Sequence, residues 1–197
     1  MKIIGLCGSS GSGKGYVSKK FEELDAYAID TDRLYREKTA RRGGECLNEL
    51  VIAFGKEILC ENGELNKKAL SKIVYSQARL DELNKITHKH IMVDTLDLVK
   101  KAEENGKEIV VIDAPVLFES GFDKLCDYTV CVLAPEEKKL ERILKRDQIT
   151  MEMAQKRLSC QLSDSELRAR CDFHIINDDK EDIKSQIISI LEKINKL

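Results

Sequence analysis

Gly8-Ser9-Ser10-Gly11-Ser12-Gly13-Lys14 constrains this chain more than any other stretch. It follows the apolar run Ile3-Ile4-Gly5-Leu6-Cys7 and precedes a helical pattern, Val17, Phe21 and Leu24. Strand, glycine-rich turn and helix form the setting of a phosphate-binding loop. Glycine lets backbone N–H groups curl around an anion with no Cβ in the way. The helix that follows turns its positive end on the same anion. Lys14 adds a mobile ammonium for the outer phosphates. The pattern G-x-x-x-x-G-K-[ST] is met at Gly8, Gly13 and Lys14 and broken at its last position, where Gly15 stands. The hydroxyl that such a loop offers to Mg²⁺ is therefore missing.

At 197 residues the chain has the length of one domain, with room for inserted substructures. A hydrophobic fraction of 42% supplies a core. Lys and Arg total 33 against 35 Asp and Glu, a net of −2, so no global basic field draws in nucleic acid or a membrane surface. Anionic ligands must be held by local groups. No apolar run approaches the ~20 residues of a membrane span. Met1-Lys2-Ile3-Ile4 leads straight into a strand, without a signal-peptide layout, and a cytoplasmic location is expected. The seven cysteines are odd in number, widely spaced and free of any CxxC pair. That usage fits reduced thiols rather than a disulfide frame or a zinc site. Cys131 alternates within a strand-like run and reads as core.

Short apolar runs predict β-strands at residues 2–7, 26–30, 109–113, 128–133 and 173–176. Helical patterns separate them, which gives the α/β class with a five-stranded parallel sheet flanked by helices. The unbroken run Ile109-Val110-Val111-Ile112 suits a parallel strand covered on both faces. The first helix is expected over about 13–24. From Arg33 to about Gly106 the sequence is helical and charge-rich, with pieces at 47–59, 67–76 and 79–105. Gly43-Gly44 and Asn62-Gly63 mark turns, and Asn105-Gly106 closes the last piece. Pro135-Glu136-Glu137 opens a further helix, with Pro at its first position and acids in its first turn. Thr150 caps the next, which runs towards Gln161. The last helix carries Ile183, Ile187, Ile190, Leu191 and Ile194 as an amphipathic stripe.

Open parallel sheets bind ligands at the carboxyl ends of their strands. The candidate residues cluster there: the loop after the first strand, Asp30-Thr31-Asp32 after the second, Asp113 after the third and Asn177 after the fifth. A kinase acting on an alcohol needs a carboxylate to orient the hydroxyl and take its proton. Asp32 or Asp30 can do this, or the same acids can simply cap the helix that contains Leu34. Asp113 stands where an acid after an apolar strand holds Mg²⁺, or where a strand-end turn needs a polar residue. Arg142 and Arg146 lie four apart on one helix face. They can close over a transferring phosphoryl group, although a basic helix taken alone reads as a solvated face. His88, in a helix between Ile86 and Ile91, reads as structural. Glu119, after the apolar Pro115-Val116-Leu117-Phe118, can pair with a basic group or meet a substrate.

Taken in order, these residues resemble the dephospho-CoA kinases, a P-loop family related to nucleoside-monophosphate kinases. The resemblance spans essentially the whole chain. It rests on Ile4-Gly5-Leu6, Gly8, Gly11-Ser12-Gly13-Lys14, Ile29-Asp30-Thr31-Asp32, Gly63-Glu64-Leu65-Asn66-Lys67, His88, Pro115-Val116-Leu117-Phe118-Glu119, Arg142, Arg146-Asp147, Gln161, Asp172 and Asn177. It implies ATP-dependent phosphorylation of the ribose 3′-hydroxyl of dephospho-CoA, the last step of coenzyme A synthesis, with Mg²⁺. It implies a core at about 1–34, 106–137 and 172–197, a helical substrate-side region at about 35–105 and a helical lid at about 138–171. Carried over by position, Asp32 is the base, and Lys14, Arg142 and Arg146 are catalytic. Gly8, Ser9, Ser10, Gly11, Ser12, Gly13, Lys14, Gly15, Tyr16 and Asn177 bind ATP. Asp32, His88, Leu117 and Glu119 fall on the substrate side. Asp113 stays the candidate metal residue from its place after the third strand, not from the resemblance. A monomer or weak homo-oligomer is expected. The chain departs from the family pattern at Gly15, Tyr16, Lys67 and Lys89. Two other readings stay open: a different small-molecule or nucleoside kinase on the same scaffold and, because of Gly15, a non-catalytic ATP-binding protein.

Overall fold

The computed structural model describes residues 1–74 and 77–196. The chain divides into two compact units, Met1–Ile29 with Ala102–Leu197, and Asp30–Lys101.

The first unit is built on a five-stranded sheet in the order β2-β3-β1-β4-β5, with β1 (Lys2–Cys7) at its centre. The other strands are β2 (Tyr27–Asp30), β3 (Ile109–Asp113), β4 (Tyr128–Leu133) and β5 (Phe173–Ile176). β1 pairs in parallel with β3 and β4, and β4 with β5. Side chains alternate across a strand, so Ile4, Leu6, Val111, Val130, Val132 and Ile175 share one face. They meet Val17 and Phe21 of α1 (Lys14–Glu22) and Ile183, Ile187, Ile190 and Ile194 of α9 (Ile183–Ile194). The opposite face is flush at Gly5. A Cβ there would lie 2.9 Å from Leu117 Cδ2 and 2.8 Å from Cys126 Sγ, so the segment after β3 packs directly on the β1 backbone. Cys131 is fully buried, as its alternation predicts.

Between β4 and β5 run α6 (Glu136–Asp147), α7 (Met151–Ser159) and α8 (Asp164–Arg170). Thr150 caps α7 by accepting from the Met153 N–H. The sequence reading ended the helical run near Gln161 and did not separate α8. Ser163 and Glu166 cap it reciprocally, the S-x-x-E signature of a helix start.

The second unit contains α2 (Thr31–Leu34), a π-helical turn (Tyr35–Thr39), α3 (Glu45–Phe54), α4 (Lys67–Ile73) and most of α5 (Gln77–Glu104). Its core gathers Cys46, Leu50, Phe54, Ile58 and Leu70, with Leu83 and Ile86 against them. The Arg79 guanidinium lies 4.4 Å from the Phe54 ring centroid, a cation–π contact. The predicted helix at 47–59 ends at Phe54 instead. Gly55, at φ 89°, stops it, and a separate 3-10 turn takes up Lys56–Ile58. Gly43, Gly63 and Gly106 all take positive φ at the predicted turns. The predicted end of α4 at Ser76 lies outside the described residues. Among the described residues, no helix is long and apolar enough to cross a membrane.

The α9 stripe yields a paired test. Ile187 is fully buried and Ile188 is exposed. Ile187→Ala should cost about 2–5 kcal/mol in urea unfolding, whereas Ile188→Ala should stay within about 0.5 kcal/mol. Equal effects would place the stripe on the wrong face.

Candidate active site

The glycine-rich loop leaves the carboxyl end of the central strand. Gly11 and Gly13 take φ of 79° and 88°, the left-handed region that strains any residue with a Cβ. Space demands glycine there too. A Cβ on Gly11 would lie 2.8 Å from the Lys139 Cα in α6, and one on Gly13 would overlap the Asn177 amide. The Ser12 N–H donates to the Ser9 carbonyl at 3.0 Å and closes the turn. The Val17 N–H donates to the Gly13 carbonyl at 3.1 Å and starts α1. Asn177, buried at the end of β5, donates its side-chain N–H to the Ser12 carbonyl at 2.8 Å. Gln161 reaches in from beyond α7 and accepts from the Ser10 N–H at 2.8 Å.

Lys139, Arg142 and Arg146 are spaced i, i+3, i+7 along α6 and share one face. All of them reach the loop. Lys139 Nζ lies 3.3 Å from Ser9 Oγ and donates to Asp164 at 2.8 Å. Arg142 donates to the carbonyls of Gly11 at 3.2 Å, Ser12 at 3.3 Å and Asn177 at 3.3 Å, and to Asp179 at 2.9 Å. Arg146 donates to Ser10 Oγ at 3.3 Å and to both Asp147 oxygens at 2.8 Å. This face of α6 is buried at its loop end, where Lys139 is only 7% exposed, and reaches solvent at Arg146, which is exposed. Lys14 ion-pairs with Asp113, a buried carboxylate at the end of β3.

Each cation at the loop thus holds a carboxylate: Lys14 with Asp113, Lys139 with Asp164, Arg142 with Asp179, Arg146 with Asp147. An arriving phosphate can take over such a cation by exchange, without dragging a bare charge out of water. The hydrogen bond from Arg146, joined by Arg157, holds the Asp147 carboxyl down at about 2. Lys138, then Arg142, lowers Asp179 in the same way.

A small cavity of about 70 Å³ opens beside the loop, lined by Cys7, Gly8, Ser9, Glu119, Cys160 and Gln161 among others. Leu117 lines it as a fully buried side chain, and Glu119 is exposed at its edge. Gly8 is also closely seated: a Cβ there would lie 2.8 Å from the Val132 carbonyl oxygen. Gly15 is the opposite case, with nothing within 4 Å of an added Cβ. Tyr16 is exposed, and Lys20 Nζ sits 5.4 Å from its ring centroid.

Asp32 and His88 belong to the second unit. Asp30 accepts from the Arg33 N–H at 2.9 Å and caps α2. That assigns the capping role to Asp30 and leaves Asp32 exposed in the first turn. His88 is half-buried in α5. The sequence reading passed over Lys139, Asp164 and Asp179. Lys139 was detectable from its spacing with Arg142 and Arg146; the two acids carry no local signal, because they meet the cations only through folding.

The dephospho-CoA kinase family model matches residues 2–182. The chain belongs to the dephospho-CoA kinase family. The dephospho-CoA kinase of Listeria monocytogenes serotype 4b is 34% identical over 197 residues, covering 99% of this chain and 98% of that relative. Among solved structures, the dephospho-CoA kinase of Campylobacter jejuni aligns with TM-score 0.69 at 24% identity, over 98% of this chain and 97% of the other. A shikimate kinase from Acinetobacter baumannii shares the fold at TM-score 0.57 and 16% identity, over 100% and 94%. As a member of the dephospho-CoA kinase family, the chain is a phosphotransferase on a P-loop kinase fold.

Two measurements check this geometry. Asn177→Ala removes the shorter of the two hydrogen bonds to the Ser12 carbonyl and leaves the one from Arg142, so it should cost about 0.5–1.5 kcal/mol in thermal unfolding; no loss would mean that the side chain does not hold the loop. Asp147 should titrate near 2 by carboxyl NMR, and Arg146→Ala should move it up towards its ordinary 3.8. The stabilisation from this depressed carboxyl is present above 3.8 and lost as pH falls through about 2. An unchanged midpoint in the variant would assign the shift to Arg157 alone.

Proposed function

We propose that the chain transfers the γ-phosphoryl group of ATP to the ribose 3′-hydroxyl of dephospho-CoA, giving coenzyme A and ADP. The observation that carries this reading is the glycine loop of a dephospho-CoA kinase family member, bordered by Lys14, Lys139, Arg142 and Arg146. Backbone amides of the loop from Gly8 to Lys14 bind the ATP phosphates, apart from those of Ser10 and Ser12, which donate to Gln161 and to the Ser9 carbonyl; Gly15 and Tyr16 complete the loop's entry into α1. Arg142 and Arg146 exchange their carboxylates for phosphoryl oxygens and neutralise charge that spreads in the transition state. Asn177 keeps the loop in shape through the Ser12 carbonyl and lies on the ATP side. Asp32 orients the acceptor hydroxyl and takes its proton; Asp30 is already engaged as a cap. His88, Leu117 and Glu119 serve the substrate side.

Residues about 1–34, 106–137 and 172–197 act as the core, about 35–105 as the substrate-side region and about 138–171 as the lid. Closure of the lid excludes water and limits wasteful hydrolysis. The residues also fit Mg²⁺. Asp113 is a buried carboxylate at the loop, and the open space at Gly15 leaves room for water, several molecules of which Mg²⁺ ordinarily keeps. Asp113 would hold the ion, and the ion would supply neutralisation of the outer phosphates. The enzyme works in the cytoplasm, as a monomer or weak homo-oligomer, without nucleic acid.

ADP release from Mg-ATP should depend on dephospho-CoA, and the product's mass should rise by one phosphoryl group. ATP binding without such turnover would favour a different acceptor or a non-catalytic role. Asp32→Asn should lower kcat by about 10²–10⁴ with the fold intact; near wild-type turnover would remove Asp32 as base. Gly15→Ser, which meets no neighbour, should lower the Mg²⁺ concentration needed for half activity. No change would mean that the missing hydroxyl is not limiting.

A further inference from the structure

A cluster of thiols sits directly beneath the phosphate loop. Cys7 is the last residue of β1 and immediately precedes Gly8. β1 and β4 register Cys7 with Cys131, so both side chains leave the sheet on the face away from α1 and α9. Cys171 enters the same place from the end of α8. Its neighbour Asp172 is anchored by the Thr129 N–H at 2.8 Å and the Thr129 hydroxyl at 2.7 Å, which fixes the chain there. The Cys7 and Cys171 sulfurs are 3.5 Å apart. A disulfide needs about 2.05 Å, so closing the gap takes about 1.5 Å of movement. Only one thiol has to be reached by the oxidant: Cys171 is half-buried, whereas Cys7 is buried behind the small cavity beside the loop and has only to meet Cys171.

We propose that Cys7 and Cys171 form an oxidative modification site, at which hydrogen peroxide closes a disulfide that disables the phosphate loop and a dithiol reductant restores it. The inference goes beyond the kinase reading; only its activity arm depends on that reading. In the first step the Cys171 thiolate attacks one peroxide oxygen. An S–O bond forms, the O–O bond breaks, and the departing oxygen leaves as water after taking a proton. In the second step Cys7 sulfur attacks the resulting sulfenic acid. The S–S bond forms, and the hydroxyl leaves as a second water with the Cys7 proton. Overall the two thiols lose two electrons to one peroxide. Geometry is backed by polarity: hydrogen bonds from Cys131 and Cys7 hold the Cys171 thiol well below its ordinary range, while the same contact and burial push Cys7 up. The pair therefore offers one half-exposed thiol to attack the peroxide and one buried thiol to resolve it.

The consequence follows from how tightly the loop is seated. A Cβ on Gly8 would lie 2.7 Å from Ser12 Oγ, so Gly8 has no slack towards Ser12. Pulling Cys7 towards Cys171 shifts the anchor of the whole loop. Misplacement of about 1 Å at such a site costs roughly a hundredfold in rate.

The test treats the full chain with hydrogen peroxide, digests it with trypsin without reduction and maps the peptides. The peptides 3–14 and 171–180, each with one cysteine, should appear joined, at their summed mass less two hydrogens. Nucleotide affinity and turnover should fall by roughly tenfold to a hundredfold and return with dithiothreitol. Cys171→Ser should start near wild-type activity and keep it after peroxide. Nucleotide affinity is read separately, so a chain with a different acceptor still reports. Absence of the joined peptides, a link confined to Cys60 or Cys160, or equal inactivation of Cys171→Ser would overturn the proposal. So would a joined protein with unchanged nucleotide affinity.

Discussion

The underside of the phosphate loop is where the structure is most constrained. Gly11 lies against the α6 backbone and Gly13 against the Asn177 amide, closer than any side chain allows. This approach brings α6 near enough for Lys139, Arg142 and Arg146 to touch the loop. Moving α6 outward by one Cβ would withdraw those contacts together. The glycines therefore do two jobs: they free N–H groups for an anion above, and they admit a helix and an amide below.

Charge at the site is local and arranged in pairs. A net of −2 gives the chain no long-range attraction for a polyphosphate. The cations instead stand beside the loop, each with a carboxylate next to it. Such pairing avoids the high cost of an isolated buried charge, most clearly for Lys139 and for Asp113. It also makes phosphate binding an exchange of partners, so part of the arriving interaction offsets the pairs it replaces.

Much of the scaffold was legible in the sequence because parallel strands covered on both faces leave unbroken apolar runs. Ile109-Val110-Val111-Ile112 and Tyr128 to Leu133 are such runs, and both are strands. The errors fell where one residue outweighs a periodic pattern. Gly55 ends α3 early, and the Ser163–Glu166 capping box starts α8 in a stretch where the sequence reading named no separate helix. At Asp30-Thr31-Asp32 the residue types alone left base and cap open. The hydrogen bond from Arg33 gives the cap to Asp30.

By itself the sequence determined the phosphate loop, the order of strands and helices along the chain, and the cation spacing on α6, because each depends on residues close together in the chain. Tertiary structure alone decided which strands are neighbours, that α6 closes against Gly11, and which carboxylate holds each cation. Asp164 and Asp179 meet Lys139 and Arg142 from separate elements, and Cys7 meets Cys171 across 164 positions. Contacts between residues so far apart leave no local signal, since what brings them together is the packing of the core and not any preference of the chain around them.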